Sequence, residues 1–203
     1  MRVRKHANPF NFSKDKEIIQ LEKVFINPEN PLTFEIGFAH GEYLLERAKN
    51  EANRNFIGFE VREQLVEKVR ITAEKEDLKN IFVANASSLV NIAILPNDSI
   101  SEVIAFFCDP CFKTKHHKRR IINPKFLSEI KPKLKKDNIL YFQTDVLELY
   151  SATLTYIKED SEYSILLKEI VTGVPNKTGS TSFFEQRCLD NNWPIHRILF
   201  KLK

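Results

Sequence analysis

The stretch Leu32-Thr33-Phe34-Glu35-Ile36-Gly37-Phe38-Ala39-His40-Gly41 is a short apolar run that ends in glycine, and a helical pattern follows it at once. Tyr43, Leu44, Leu45 and Ala48 share one face of that pattern, with charges opposite. Strand, glycine loop and helix in this order open an α/β unit, because glycines at such a turn let a ligand approach the backbone closely. Working outward, residues 55–60 (Asn55-Phe56-Ile57-Gly58-Phe59-Glu60) read as a second buried strand. Arg62 to Glu76 is its helix, with Leu65, Val66, Val69 and Ala73 at helical spacing. Residues 80–84 give a third strand, Ser87 to Leu95 a short helix, and residues 102–107 a fourth strand. Pro124 to Leu134 is a helix that Pro132 closes early, residues 138–143 a fifth strand, and Val146 to Lys158 a helix.

Alternation of this kind predicts an α/β fold, a mostly parallel sheet with helices on both faces. The end of the chain differs. Tyr163 to Val171 and Pro194 to Leu202 are both strand-like with no long helix between them, which predicts an antiparallel C-terminal pair at one edge of the sheet. Residues 172–182, rich in Gly, Pro, Asn, Ser and Thr, read as a mobile loop. With no internal repeat or linker, residues 1–203 form one domain, whose basic N-terminal segment 1–30 is expected to be partly mobile.

Composition limits the function classes. At 42% hydrophobic, 203 residues bury a real core, and the apolar content excludes a disordered chain. No apolar run approaches the roughly 20 residues of a membrane helix. The basic start lacks the apolar segment of a secretory signal, so a cytoplasmic location is expected. Three cysteines, Cys108, Cys111 and Cys188, are too few and too odd for a disulfide-built fold. The net charge of +4 is mild, but residues 113–120 place five fixed positive charges in eight positions. Arg2, Arg4 and Lys5 add to them at the N-terminus. Alone, such a run is a solvated face.

Ligands of open α/β sheets bind beyond the carboxyl ends of the strands, so those ends come first. The first carries Glu35, Gly37 and Gly41. The second ends in Glu60, 19 positions beyond Gly41, where an acid can accept both hydroxyls of a ribose from a dinucleotide or from S-adenosylmethionine. The fourth ends in Phe106-Phe107-Cys108-Asp109-Pro110-Cys111-Phe112-Lys113, followed by Thr114-Lys115-His116-His117-Lys118-Arg119-Arg120. Thr144-Asp145 follows the fifth strand, and Phe184-Glu185-Gln186-Arg187 comes late.

In order and spacing, these segments and the opening Met1-Arg2-Val3-Arg4-Lys5-His6-Ala7-Asn8-Pro9 resemble bacterial tRNA (guanine-N7)-methyltransferases over almost the whole chain. The resemblance implies a Rossmann-like class I methyltransferase that moves a methyl group from S-adenosylmethionine to N7 of a tRNA guanine, one in the variable loop. It implies that Glu35 lies beside the methionine part of the cofactor, that Glu60 holds its ribose, and that Asn85 contacts its adenine. Gly37 and Gly41 shape that loop. Asp109 borders both cofactor and target base. Lys113, Asp145 and the segment Ser182, Phe183, Phe184, Glu185 match substrate positions, with Lys118, Arg119 and Arg120 on the tRNA backbone. The implied partner is tRNA and no membrane, with the protein a monomer or homodimer. Ala39 stands where the family has a middle glycine, Cys108-Asp109-Pro110-Cys111 replaces Pro-Asp-Pro-Trp, Ser182 replaces threonine, and Cys188 replaces a glycine.

Several of these residues also have a plainer reading. Glu35 could be a core carboxylate satisfied by backbone donors, Asp109 a turn former, Asp145 a helix N-cap, and His116 and His117 phosphate-contacting or solvated. Cys108-x-x-Cys111, with His116 and Cys188, has the spacing of a zinc or redox pair, but one Cys pair without a second is a weak signal, and no metal is expected. The chemistry suits the carboxylates. Guanine N7 attacks through an in-plane lone pair without deprotonation, so alignment and desolvation matter more than a strong base. Attack makes the base cationic, which carboxylates at its Watson–Crick edge stabilise; Asp145 and Glu185 are the candidates, with Asp109 and Asp145 as the catalytic pair. The base must leave its stack. The rival is a tRNA-binding or scaffold protein of the same fold with weakened catalysis. A dehydrogenase is poorer, since the first loop lacks the dinucleotide glycine pattern.

Overall fold

A computed structural model describes residues 8–13 and 17–203; Arg2, Arg4 and Lys5 lie outside the described residues. Strands β1 (Leu32–Ile36), β2 (Asn55–Glu60), β3 (Ile81–Asn85), β4 (Ile100–Phe106), β5 (Leu134–Thr144), β6 (Tyr163–Val171) and β7 (Ile195–Leu202) form one sheet in the order β3-β2-β1-β4-β5-β7-β6. The first five run parallel, and β7 lies antiparallel to both β5 and β6. The expected antiparallel pair is therefore present.

Alternate residues of each strand feed opposite faces. Ile57, Phe59, Val103, Ala105, Leu140, Phe142, Ile198 and Phe200 pack on one side. Helices α4 (Pro124–Ile130) and α5 (Leu147–Glu159) cover that side through Phe126, Leu127, Leu149 and Ile157. On the other side, α2 (Glu42–Asn50) and α3 (Glu63–Lys75) bring Leu44, Ala48, Val66 and Val69 against Phe56, while α6 (Phe183–Asp190) brings Phe184 and Cys188 against Ile104 and Phe106. Gly58 is what lets α2 close down: a Cβ there would stand 2.6 Å from Phe38 and 2.8 Å from Leu44.

Three segments differ from expectation. Residues 87–95 make a hydrogen-bonded turn and one 3-10 turn, Ile92–Ile94, in place of a helix. The Asn91 side chain accepts from Ser87 N at 3.0 Å and donates to Ser13 O, which offers the backbone an alternative to helix. Strand β5 begins at Leu134, because the chain past Pro132 pairs with Ile100 before its register shifts. Helix α6 forms after the Ser182 cap, where the sequence pattern announces no helix. Within residues 17–30, α1 (Leu21–Val24) forms, and Ile19 and Phe25 are buried in the core.

Candidate active site

The sheet order reverses between β1 and β4, so the loops leaving these strands diverge and open a crevice at their carboxyl ends. Residues 37–41 line it first. Gly37 (φ +67°) meets nothing within 4 Å of a built Cβ, so its open side is available to a ligand. Ala39 also sits in the left-handed region (φ +54°), as do Phe107 (+49°) and Cys111 (+38°) on the facing loop. Left-handed backbone disfavours any side chain, so strain gathers on both walls of one crevice. The shallow groove along the exposed face of α3, lined by Glu63, Glu67, Lys68 and Ile71, gathers no strand-end residue.

Glu35 is 4% exposed, and its Oε2 has no hydrogen-bond partner among the described residues. Burial pushes its carboxyl up to about 8 against the pull of Arg47, with Glu42, Glu102 and Glu60 pushing the same way as burial. A core carboxylate satisfied by backbone donors would not leave this oxygen orphaned. Arg47 does not satisfy it: that guanidinium is committed to Glu51, Glu102 and the Tyr43 hydroxyl. Glu60 ends β2 buried, accepting from Ala39 N at 3.0 Å and from Arg62. Asn85, paired with Glu60 in register, donates to the Glu60 carbonyl at 3.1 Å.

Across the crevice, Asp109 Oδ1 accepts from Cys111 N at 3.0 Å, so the turn-forming role is real for one oxygen. Lys113, Lys115 and Lys118 are exposed around a 3-10 helix, Thr114–Arg119. His116 is held below its ordinary value, by burial cost first and then by Arg119, Lys115 and Lys113. Arg119 is half-buried, with an Nε that has no partner among the described residues. Arg120 does not join the strip. It is 3% exposed, donates to Pro110 O at 2.9 Å and Glu148 at 2.5 Å, and pins the loop to α5. Burial pushes Cys111 up to about 11 and Cys188 up to about 12, the reverse of what a reactive thiolate needs. Among the described residues, no group of three or more His, Cys, Asp or Glu is arranged to hold a metal.

Asp145 follows β5, half-buried. Helix α5 takes Val146, not Asp145, as its N-cap, with no side-chain cap. Because β6 and β7 are antiparallel, Val171 pairs with Ile195 at this same end, which brings residues 172–182 and α6 over the crevice. Ser182 Oγ caps α6 by accepting from Glu185 N at 3.2 Å. Phe184 is buried against Phe107, ring centroids 5.1 Å apart. Phe183 is exposed, 6.3 Å from His40 of the first loop. Glu185 lies elsewhere than expected. It is 0% exposed, accepts from Asn176 N at 2.7 Å and Asn176 Nδ2 at 2.6 Å, and pairs with buried Arg197 at 3.1 Å. Burial raises its carboxyl above the ordinary range, against those partners. As the protein stands, Glu185 offers nothing to a base; it ties down the loop. The expected loop is thus internally bonded, with Asn176 also donating to Ser180 O and accepting from Thr178 N.

Sequence reasoning missed Arg62, Asn176 and Arg197. A signal existed for Arg197, a charged residue inside the apolar run Ile195–Leu202. A family described as putative methyltransferase matches residues 29–198. The tRNA (guanine-N(7)-)-methyltransferase of Prochlorococcus marinus (strain MIT 9515) is 34% identical over 173 residues, 82% of this chain and 83% of that protein. That of Prochlorococcus marinus subsp. pastoris (strain CCMP1986 / NIES-2087 / MED4) is 37% identical over 169 residues, 79% of this chain and 80% of that protein. Among solved structures, 16S rRNA methyltransferase KamB matches with a TM-score of 0.69 at 10% identity, covering 93% of this chain and 95% of that one, a likeness of fold alone.

Proposed function

The chain belongs to the tRNA (guanine-N7)-methyltransferase family, and from that premise we infer how its crevice methylates N7 of a tRNA guanine with S-adenosylmethionine. The residues fit that cofactor. An orphaned buried carboxylate oxygen on Glu35 suits an ammonium group, and the open side of Gly37 suits a ligand running along the backbone. S-adenosylmethionine supplies the electrophilic methyl group on its sulfonium.

The chain supplies the rest. Glu35, ionised, holds the amino-acid end. Glu60 accepts from the ribose, and Asn85 lies at the adenine side of β3. Asp109 sits between cofactor and base. Lys113, Asp145, Ser182 and Phe183 receive the guanine, Phe183 offering an exposed ring for stacking. Asp145 stabilises the positive charge that attack places on guanine. Glu185 and Arg120 act as positioning residues behind these groups. Lys113, Lys115, Lys118 and Arg119 hold the RNA backbone. The protein works as one domain, as a monomer or homodimer, in the cytoplasm; among the described residues, no helix is long and apolar enough to cross a membrane.

The observation that carries this reading is the Glu35 oxygen, buried and, among the described residues, unpaired at a switch point faced by a basic loop. The test is mass analysis of nucleosides from tRNA incubated with the protein and S-adenosylmethionine. New 7-methylguanosine is expected. Cofactor and tRNA binding without it would leave the scaffold reading standing.

A further inference from the structure

Glu60 has no acceptor position left for a ribose. Its Oε1 accepts from Arg62 N and Arg62 Nε, each at 3.0 Å. Its Oε2 accepts from Ala39 N and Arg62 Nη2, also at 3.0 Å. A carboxylate offers about four lone-pair sites, so the set is full. Two of the donors are backbone groups that belong to the loop and to the start of α3. The other two come from one guanidinium fork on a side chain 46% exposed, gripping a carboxylate 4% exposed.

We propose that Arg62 is a latch on the cofactor site: its guanidinium fills the two acceptor positions that a ribose diol requires, and the nucleoside enters by displacing it into solvent. The inference rests on the assignment of Glu60 to the ribose. Backbone donors Ala39 N and Arg62 N keep the carboxylate aimed throughout, so only the side chain moves. A diol and a guanidinium fork each present two donors, so the hydrogen bonds exchange one for one. What is lost is the ion pair. The measured affinity is therefore the intrinsic affinity reduced by the fraction of molecules with the latch open.

An ion pair with one half-exposed partner is modest, so removing it should tighten binding by about 2- to 5-fold. Salt screens the pair and opens the latch. The test is calorimetry with S-adenosylhomocysteine, whose net charge is zero, at low and high salt. Wild-type protein should bind more tightly as salt rises. Arg62→Ala should bind about 2- to 5-fold more tightly at low salt and respond less to salt. Arg62→Met keeps the aliphatic stem and should behave likewise if the alanine variant folds poorly; Arg62→Lys should fall between. Equal or weaker binding by the alanine and methionine variants, with the wild-type salt response, overturns the latch and makes Arg62 a fixed support for Glu60. Absence of binding in wild type and all variants rejects the ribose assignment itself, and the latch with it.

Discussion

Burial pushes the Glu35 carboxyl up to about 8 in the ligand-free protein, and this has two measurable results. With its carboxyl raised from 4.5 to about 8, its contribution to stability is fully present below pH 4.5 and is lost as pH rises through 8. The melting temperature of ligand-free protein, measured against Glu35→Gln, should therefore decline across that window. An ammonium ligand needs the carboxylate, so S-adenosylhomocysteine should bind more tightly from pH 6 to 8, releasing a proton as it binds. Calorimetry in two buffers of different ionisation enthalpy counts that proton. A flat profile in wild type, matching Glu35→Gln, would take the amino-acid end of the cofactor away from Glu35. Asp145 calls for a different readout. With Val146 as the N-cap residue, Asp145→Asn should leave folding and cofactor affinity near normal. Methyl transfer should fall by roughly 10²-fold, the effect of losing one preorganised electrostatic contact. Single-turnover rates at saturating cofactor decide it, and a wild-type rate sinks the carboxylate mechanism.

Helix α6 and the loop before it stand or fall with the buried pair of Glu185 and Arg197. Glu185 gathers Asn176 N, Asn176 Nδ2 and Arg197, while Arg197 also reaches Gln143 at 3.0 Å and Glu169 at 3.2 Å. Removing Glu185 strands the buried donors of Asn176 and leaves Arg197 with Glu169 as its remaining carboxylate, a cost of about 1–3 kcal/mol of stability. Glu185→Ala should therefore lower the melting temperature sharply, and protease should cut within residues 172–182 even without RNA. A direct contact between Glu185 and guanine predicts the opposite pattern, normal stability with a defect seen only when tRNA is added. The element was hard to read in sequence because Gly173, Pro175, Asn176, Gly179 and Ser180 are the composition of an unstructured loop. Its order comes from one acid 9 positions after Asn176 and one arginine 12 positions after that acid.

Across the whole molecule, exposed charge and internal charge do different work, although they are neighbours in the chain. Neutralising Lys113, Lys115 and Lys118 together should cut the slope of log affinity for tRNA against log salt by about 2–3, near 0.9 for each phosphate that a lysine no longer neutralises. Filter binding across a salt series measures it; an unchanged slope would make the strip an ordinary solvated face. Arg120→Ala should instead lower stability and leave the slope alone, since its guanidinium is committed to Pro110 O and Glu148. The sequence by itself determined the alternation of strands and helices, the terminal antiparallel pair, and the strand ends bearing Glu35, Glu60, Asp109 and Asp145. Those readings depend on periodicity and on spacing within a few residues, which the local backbone enforces. Only the tertiary structure decided which charges are taken up by internal partners. Arg120 and Arg119 are adjacent and chemically alike, yet one is buried on α5 and the other half-buried with an Nε that is unpartnered among the described residues. Glu35 and Glu185 are both buried acids, yet of the two only Glu35 keeps an oxygen unpaired among the described residues. A charge is spent or spared according to the groups that packing brings beside it, and those groups lie 28 positions away for Arg120 and 12 for Glu185. No local pattern carries that information, because the partner is chosen by how the layers dock.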